Sequence, residues 1–267
     1  MKKKALTIEH QRFLNRRTRS KVIVLACQLG LLVLFLGLWE LLAAYEVIDS
    51  FITSSPSRIW ATFIDLAKGD LWRHTLTTLA ETVVAFLLSF LIGTTMAVLL
   101  WLSDGVRRVL EPYLVVLNAL PKIALGPIII IWVGAGPQAI VTMALLISVI
   151  ITTINTLTGF ISISKEKLLL MKTLHANKWQ TLWKLVIPAN ASTITACLKV
   201  NVGMSWVGTI MGEYLVSRAG LGYLIVYGGQ VFNLSLVMCA TVVLCLLAAA
   251  MYLAVSLLSK LVERRLS

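Results

Sequence analysis

Acidic residues are scarce in this chain: 12 Asp and Glu stand against 24 Lys and Arg in 267 residues. Charged residues of both signs make up only 13% of it, where a soluble domain carries about 25%. Cysteine is also sparse, and Cys27, Cys197, Cys239 and Cys245 all fall within apolar stretches. Their spacing fits neither a zinc site nor a secreted disulfide framework, so they read as small buried hydrophobes. The three histidines, His10, His74 and His175, are too scattered for a metal centre. No GxxxxGK[ST] phosphate loop, acidic Walker-type strand or catalytic dyad occurs, which leaves the chain without its own machinery for ATP hydrolysis. The net charge of +12 does not indicate nucleic acid, because the basic residues lie in short runs between apolar blocks instead of along one soluble face.

What the chain has in abundance is apolar sequence, 58% of residues with a mean hydropathy of +0.89. Val22 to Tyr45 forms a largely apolar run of about 36 Å as a helix, enough to cross a bilayer with some tilt and too long for a signal peptide. Five more blocks follow, at about Leu76–Leu102, Glu111–Val133, Gln138–Phe160, Ala189–Leu215 and Leu234–Leu261. The third contains Pro121 and Pro127 and is expected to kink or unwind. With both ends placed inside, eighteen Lys and Arg fall in inner segments and four in outer ones. That asymmetry predicts six spans with cytoplasmic termini.

Two connecting segments stand out. The outer stretch 46–75 contains "SPSRIWATFIDLAKGDLWRH", where Ser55-Pro56 is a helix start and Ile59, Trp60, Phe63, Ile64 and Leu66 recur with helical period. This predicts an amphipathic helix at the outer interface or packed on the spans. The inner segment 164–188 is basic yet half apolar. Leu168, Leu169, Leu170, Met171 and Leu174 share a short helix, "HANK" turns the chain, and Trp179, Leu182, Trp183 and Val186 lead back to the membrane at Pro188. Such a segment carries more apolar surface than a solvated loop, so lipid, the spans or a partner must cover it.

These inner residues resemble the permease subunits of binding-protein-dependent ABC importers. The ending of that family's inner-loop signature is met by Leu185, Ile187 and Pro188, while its glycine position falls on His175 and its Glu-Ala-Ala positions on Leu169, Leu170 and Met171. "KTLHANKWQTLWKLVIPA", "NALPKIALGPIIIIWVGAGP" and "LKVNVGMSWVGTIMGEYLVSRAGLGYLI" are similar, in order, to the nitrate, sulfonate and taurine branch, and the likeness runs from about Ser55 to the C-terminus.

The resemblance implies an all-α integral membrane protein of six transmembrane helices, with the type I importer permease (MetI-like) fold and a cytoplasmic coupling helix. Its implied organisation is a basic N-terminal segment 1–21, a first span 22–45, the outer loop 46–75, a five-helix core 76–263 enclosing the coupling segment 164–188, and a C-terminal tail 264–267. It implies a non-catalytic subunit of the bacterial inner membrane that pairs with a second permease copy. Its further partners would be an ATPase dimer, which binds ATP and Mg, and an extracytoplasmic binding protein that delivers the solute. Residues Leu168, Leu169, Leu170, Met171, Leu174, His175, Ala176, Trp179 and Pro188 would couple to the ATPase. A glycine at the position of His175 permits a left-handed backbone, and His is among the other residues enriched there.

Ionisable groups within spans are functional candidates by default, which singles out Glu81, Lys122, Lys199 and Glu213. Lys199, near an inner span end, reads better as a snorkelling or ion-paired residue. Asn118 and Lys122 lie where broken helix must face protein or water, and with Ser205, Trp206 and Glu213 they are the candidate translocation path. A nitrate, sulfonate or taurine-like solute leads, with a thiamine or riboflavin precursor as the alternative. A gradient-driven secondary transporter is the rival class, but no internal repeat supports it. A membrane scaffold does not explain the inner segment.

Overall fold

A chain with so much apolar surface and so few charges folds in lipid by pairing its backbone within helices. The computed structural model describes residues 8–49 and 53–266, and among these it contains helices and no strand. The elements are α1 (Ile8–Ala44), α2 (Pro56–Ala67), α3 (Leu71–Leu102), α4 (Asp104–Ala119), a 3₁₀ turn (Lys122–Leu125), α5 (Gly126–Val133), α6 (Pro137–Ile161), α7 (Lys165–Thr173), α8 (Lys178–Thr181), a π-helical turn (Leu182–Val186), α9 (Ile187–Ala189), α10 (Ala191–Val216), α11 (Leu221–Gln230) and α12 (Leu234–Leu266). Residues 1–7 of the expected basic segment, 50–52 of the outer loop and Ser267 lie outside the described residues. Among the described residues five helices are long and apolar enough to cross a membrane, or up to six if α4, the 3₁₀ turn and α5, a pair bent by 86°, count as one broken span.

The third span breaks where the sequence expects irregularity. Leu120, which precedes Pro121, is driven to an extended ψ of 138°, and the chain turns by 86° before α5. Pro127 does not make the kink; it sits in the first turn of α5, where its missing N–H is harmless. The expected start at Glu111 moves to Asp104, because Ser103 caps α4 by accepting from the Val106 N–H, and Pro112 lies inside the helix. The second span likewise begins at Leu71.

The core is the packing of α6 against α3 and α10, and small residues allow the close approach. A methyl on Gly93 of α3 would lie 2.8 Å from Thr152 Cβ of α6, and one on Gly212 of α10 would lie 2.8 Å from Ile140 Cα. One Cβ on Gly208 would run into the Ala144 backbone. Between α3 and α10 the adhesive is polar: Ser89 Oγ donates to Asn201 Oδ1 at 2.9 Å, and Asn201 Nδ2 donates to the Phe86 carbonyl at 3.3 Å. Cys197 and Cys239 are buried as expected, whereas Cys27 and Cys245 are exposed on outward faces of their helices.

The interfacial helix α2 is capped by Ser55, whose Oγ accepts from the Arg58 N–H at 3.3 Å. It is two-faced: Phe63 and Leu66 pack on Leu71, Leu221, Leu224 and Leu236, while Trp60 points outward. The first span stands off the bundle, with the described side chains from Val22 to Leu38 exposed. Its firm tie is at the outer end, where Glu40 accepts from Ser57 Oγ at 2.7 Å and from the Ser57 N–H at 3.0 Å.

Replacing Gly208 by Val forces α6 and α10 apart. Overpacking of this kind costs about 1–3 kcal/mol, so the thermal midpoint of the detergent-solubilised chain, followed by tryptophan fluorescence, should fall clearly. An unchanged midpoint would show that this contact does not hold the core.

Candidate functional site

The inner segment is built from three local devices. Helix α7 ends in a paired closure: the His175 N–H donates to Lys172 O at 2.9 Å and the Ala176 N–H to Met171 O at 3.0 Å. That closure needs a left-handed residue, and His175 supplies it at φ +53°. The position where the family signature has glycine is therefore left-handed here too, held by histidine. Asn177 then opens α8 with a reciprocal cap, accepting from the Gln180 N–H at 2.8 Å while Gln180 Oε1 accepts from the Asn177 N–H at 2.9 Å. Lys178 Nζ donates to the Leu102 carbonyl at 2.7 Å and so ties this turn to the end of α3.

The π-helical turn sorts the apolar residues. Leu182 and Val186 are buried against Ala97, Leu100, Leu114, Leu157 and Phe160. Trp179 and Trp183, which run with them in sequence, are exposed on the subunit's surface. On α7, Leu168 and Met171 are half-buried, whereas Leu169, Leu170 and Leu174 are 62%, 59% and 67% exposed. A segment anchored by two buried residues thus presents a separate apolar patch left exposed by the described residues. Pro188 is exposed in α9, and Asn190 separates that turn from α10 while its Nδ2 donates to the Val186 carbonyl at 2.9 Å.

The candidate path residues do not come together. Asn118 is exposed at the end of α4, and Lys122 Nζ donates to its carbonyl at 2.9 Å, so the lysine closes the helix at the break. Ser205 and Trp206 are buried within the subunit: Ser205 lies 3.5 Å from Asn201 Oδ1, and Trp206 packs with Phe86, Val202 and Val255. Lys199 is half-buried.

Glu213 is also internal and holds the opposite end of the bundle. Three side chains accept from the first amides of α11: His74 Nδ1 from Gly220 at 2.9 Å, Thr78 Oγ1 from Leu221 at 2.8 Å and Glu213 Oε2 from Gly222 at 2.6 Å. An accepting Nδ1 places the His74 proton on Nε2. Gly220 has φ +119°, and a Cβ there would collide with the Glu213 carboxylate. Glu81 approaches the same carboxylate from α3, and His74 stacks on Tyr223 at 5.9 Å between centroids. Sequence reasoning missed His74 and Thr78; their i, i+4 spacing ahead of Glu81 was the available signal. It also missed Glu40, whose partner is too distant in sequence to read.

Residues 89–267 match the model described as binding-protein-dependent transport system inner membrane component. The chain belongs to this family. As a member it is an ABC importer permease, a multi-pass inner-membrane protein of a family whose membrane subunits are generally non-catalytic. It is 30% identical over 238 residues to the riboflavin transport system permease protein of Chloroflexus aurantiacus, covering 87% of each chain. It is 29% identical to the formylaminopyrimidine transport permease protein of Halalkalibacterium halodurans, covering 70% of this chain and 74% of that one. Identity to the taurine transport system permease protein of Escherichia coli is 22%, covering 82% of each.

Among solved structures, the MetNI methionine ABC transporter in an inward-facing conformation superposes with a TM-score of 0.64 at 19% identity, over 72% of this chain and 95% of that one. A bacterial alginate ABC transporter in complex with a pentasaccharide-bound periplasmic protein gives 0.59 at 14%, over 94% and 96%. The permease fold expected from the sequence is therefore the one observed.

Two substitutions probe these devices. At His175, Gly should preserve the turn, while a β-branched Val in a left-handed conformation should cost about 1–2 kcal/mol and loosen α7; limited proteolysis at this turn reads the difference, and equal cleavage of both variants would sink the reading. Glu213→Ala leaves the Gly222 N–H without its acceptor, an expected loss of about 1–3 kcal/mol. Thermal unfolding should show that loss largely restored in Glu213→Gln, which keeps an acceptor.

Proposed function

We propose that this permease works as a homodimer that passes a small solute inward by alternating access, driven by a separate ATPase dimer that binds ATP and Mg. An extracytoplasmic binding protein delivers the solute. The observation that carries this reading is the inner segment: Leu169, Leu170 and Leu174 are exposed, yet the segment is fastened to the core by Leu182, Val186 and the Lys178 to Leu102 bond. A patch that only displayed apolar surface would need no rigid base. One that receives a push from a partner does, because motion is transmitted through packed contacts. His175, Ala176, Trp179 and Pro188 belong to the same coupling segment, in which Leu168 and Met171 are half-buried.

Both termini are placed in the cytoplasm on the strength of the asymmetry in basic residues, which puts this segment on the ATPase side. For the path, Asn118 and Lys122 are the candidates on the subunit's open surface, whereas Ser205, Trp206 and Glu213 would act from within it. The solute is of the nitrate, sulfonate or taurine type. A riboflavin or thiamine precursor is the second reading, favoured by the higher identity to the riboflavin and formylaminopyrimidine permeases.

Replacing Leu170 and Leu174 together by Asp should abolish co-purification of the ATPase while leaving membrane insertion intact. Both residues are exposed, so the fold loses little. Wild-type recovery of the ATPase with the doubly substituted chain would overturn the proposed docking surface.

A further inference from the structure

The helix that carries the apolar patch has a second side that the patch does not use. Leu168 and Lys172 lie one turn apart and so share one stripe of α7, turned away from Leu170, and Ala176 follows the turn that closes the helix. This stripe forms one wall of a cavity of about 350 Å³. Trp101 at the end of α3, Phe160 and Ile161 at the end of α6, Asp104 and Arg107 in the first turn of α4, and Lys178 and Thr181 of α8 complete it.

The composition of this cavity is unusual for the chain. Arg107, Lys172 and Lys178 line it with Asp104 as the one acid among its lining residues. Asp104 is taken up by Arg107, at 3.1 Å, and Lys178 is held by the Leu102 carbonyl. Among the described residues, Arg107 with Asp104 is the ion pair of this cavity, so its lining keeps a net positive charge. The floor is the opposite in character, being Trp101, Phe160, Ile161 and Leu168. The cavity also has a definite place. Trp101 and Ile161 are within the last two residues of the apolar helices Leu71–Leu102 and Pro137–Ile161, so the cavity lies at the ends of two candidate spans, beside the segment that leaves them.

A basic rim over an apolar floor at that place fits an amphiphile with an anionic head. We propose that this cavity binds the phosphate of an anionic phospholipid of the inner leaflet, with Arg107, Lys172 and Lys178 meeting the phosphate oxygens and the apolar floor meeting the glycerol and upper acyl chain. Basic pockets between membrane helices hold such headgroups by charge, at depths where the surrounding medium screens weakly. The site rests on the chain being a membrane protein with this end in the cytoplasm, and not on which solute it carries. Its place on the back of α7 gives the lipid a role: it braces from behind the helix that offers its other side to a partner.

The test uses the full-length chain, purified in mild detergent and examined by native mass spectrometry after exposure to phosphatidylglycerol, phosphatidylcholine or inorganic phosphate. The variant Arg107→Gln with Lys172→Gln removes two cations and leaves Lys178 to hold α3. A control, Lys165→Gln with Lys184→Gln, removes the same charge from exposed positions outside the cavity. The wild type should retain phosphatidylglycerol over phosphatidylcholine, the cavity variant should lose roughly tenfold in that retention, and the control should match the wild type. Since Arg107 is partly buried, Lys172→Gln alone is measured alongside, and it should lose a smaller share without any change in thermal midpoint.

Equal losses in the cavity variant and the control would mean diffuse surface charge and would overturn the site. Retention of inorganic phosphate without lipid preference would assign the cavity to a soluble anion and overturn the lipid. Unchanged lipid retention together with loss of the ATPase from the cavity variant would give the cations to a partner's acidic side chain. Failure of the ATPase to bind the Leu170 and Leu174 variant bears on the docking patch alone and leaves this result standing.

Discussion

A helix end leaves backbone N–H and C=O groups without intrahelical partners, and those not reached by water must find one within the protein. This constraint organises the polar residues of the chain. Lys122 closes α4 at the 86° break, Asn190 closes the turn ahead of α10, and Lys178 closes α3. His74, Thr78 and Glu213 receive the first amides of α11, and Glu40 receives that of Ser57 at the start of α2. Lys122 and Glu213, two of the candidate path residues, also satisfy backbone groups at helix ends. Their expense in lipid is met by the backbone groups they satisfy.

That double use explains what could and could not be read from the sequence. The spans, their number and the interfacial helix follow from apolar length and from the Ser55-Pro56 start, which are local properties. The break at Pro121 was legible because proline constrains the residue before it. The left-handed joint at His175 was legible through the family signature, since the backbone demand persists when glycine does not. By contrast, the burial of Ser205, Trp206 and Glu213 depends on which face of α10 meets α3 and α6, and periodicity within one helix cannot say so. The split between Leu182 with Val186 and Trp179 with Trp183 depends on a π-helical turn that no local pattern announces.

The two ends of the bundle use opposite strategies. At the end carrying Gly220, backbone amides, an imidazole, a hydroxyl and a carboxylate interlock, and the loop is bonded to two helices at once. At the end carrying α7, the attachments are a buried pair of aliphatic side chains and one lysine, and the outward surface is left apolar. Directional bonds fix one loop in place, while the other end presents an apolar patch on a firm base.

The isolation of the first span carries its own consequence. Within the subunit, the stretch from Val22 to Leu38 touches little, and its tie to the rest is the acid at position 40 near its outer end. Exchanges among leucine, valine, isoleucine and phenylalanine over that stretch therefore have few contacts to disturb within the subunit, whereas a change at Glu40 or Ser57 removes the bonds that tie this span to the start of α2.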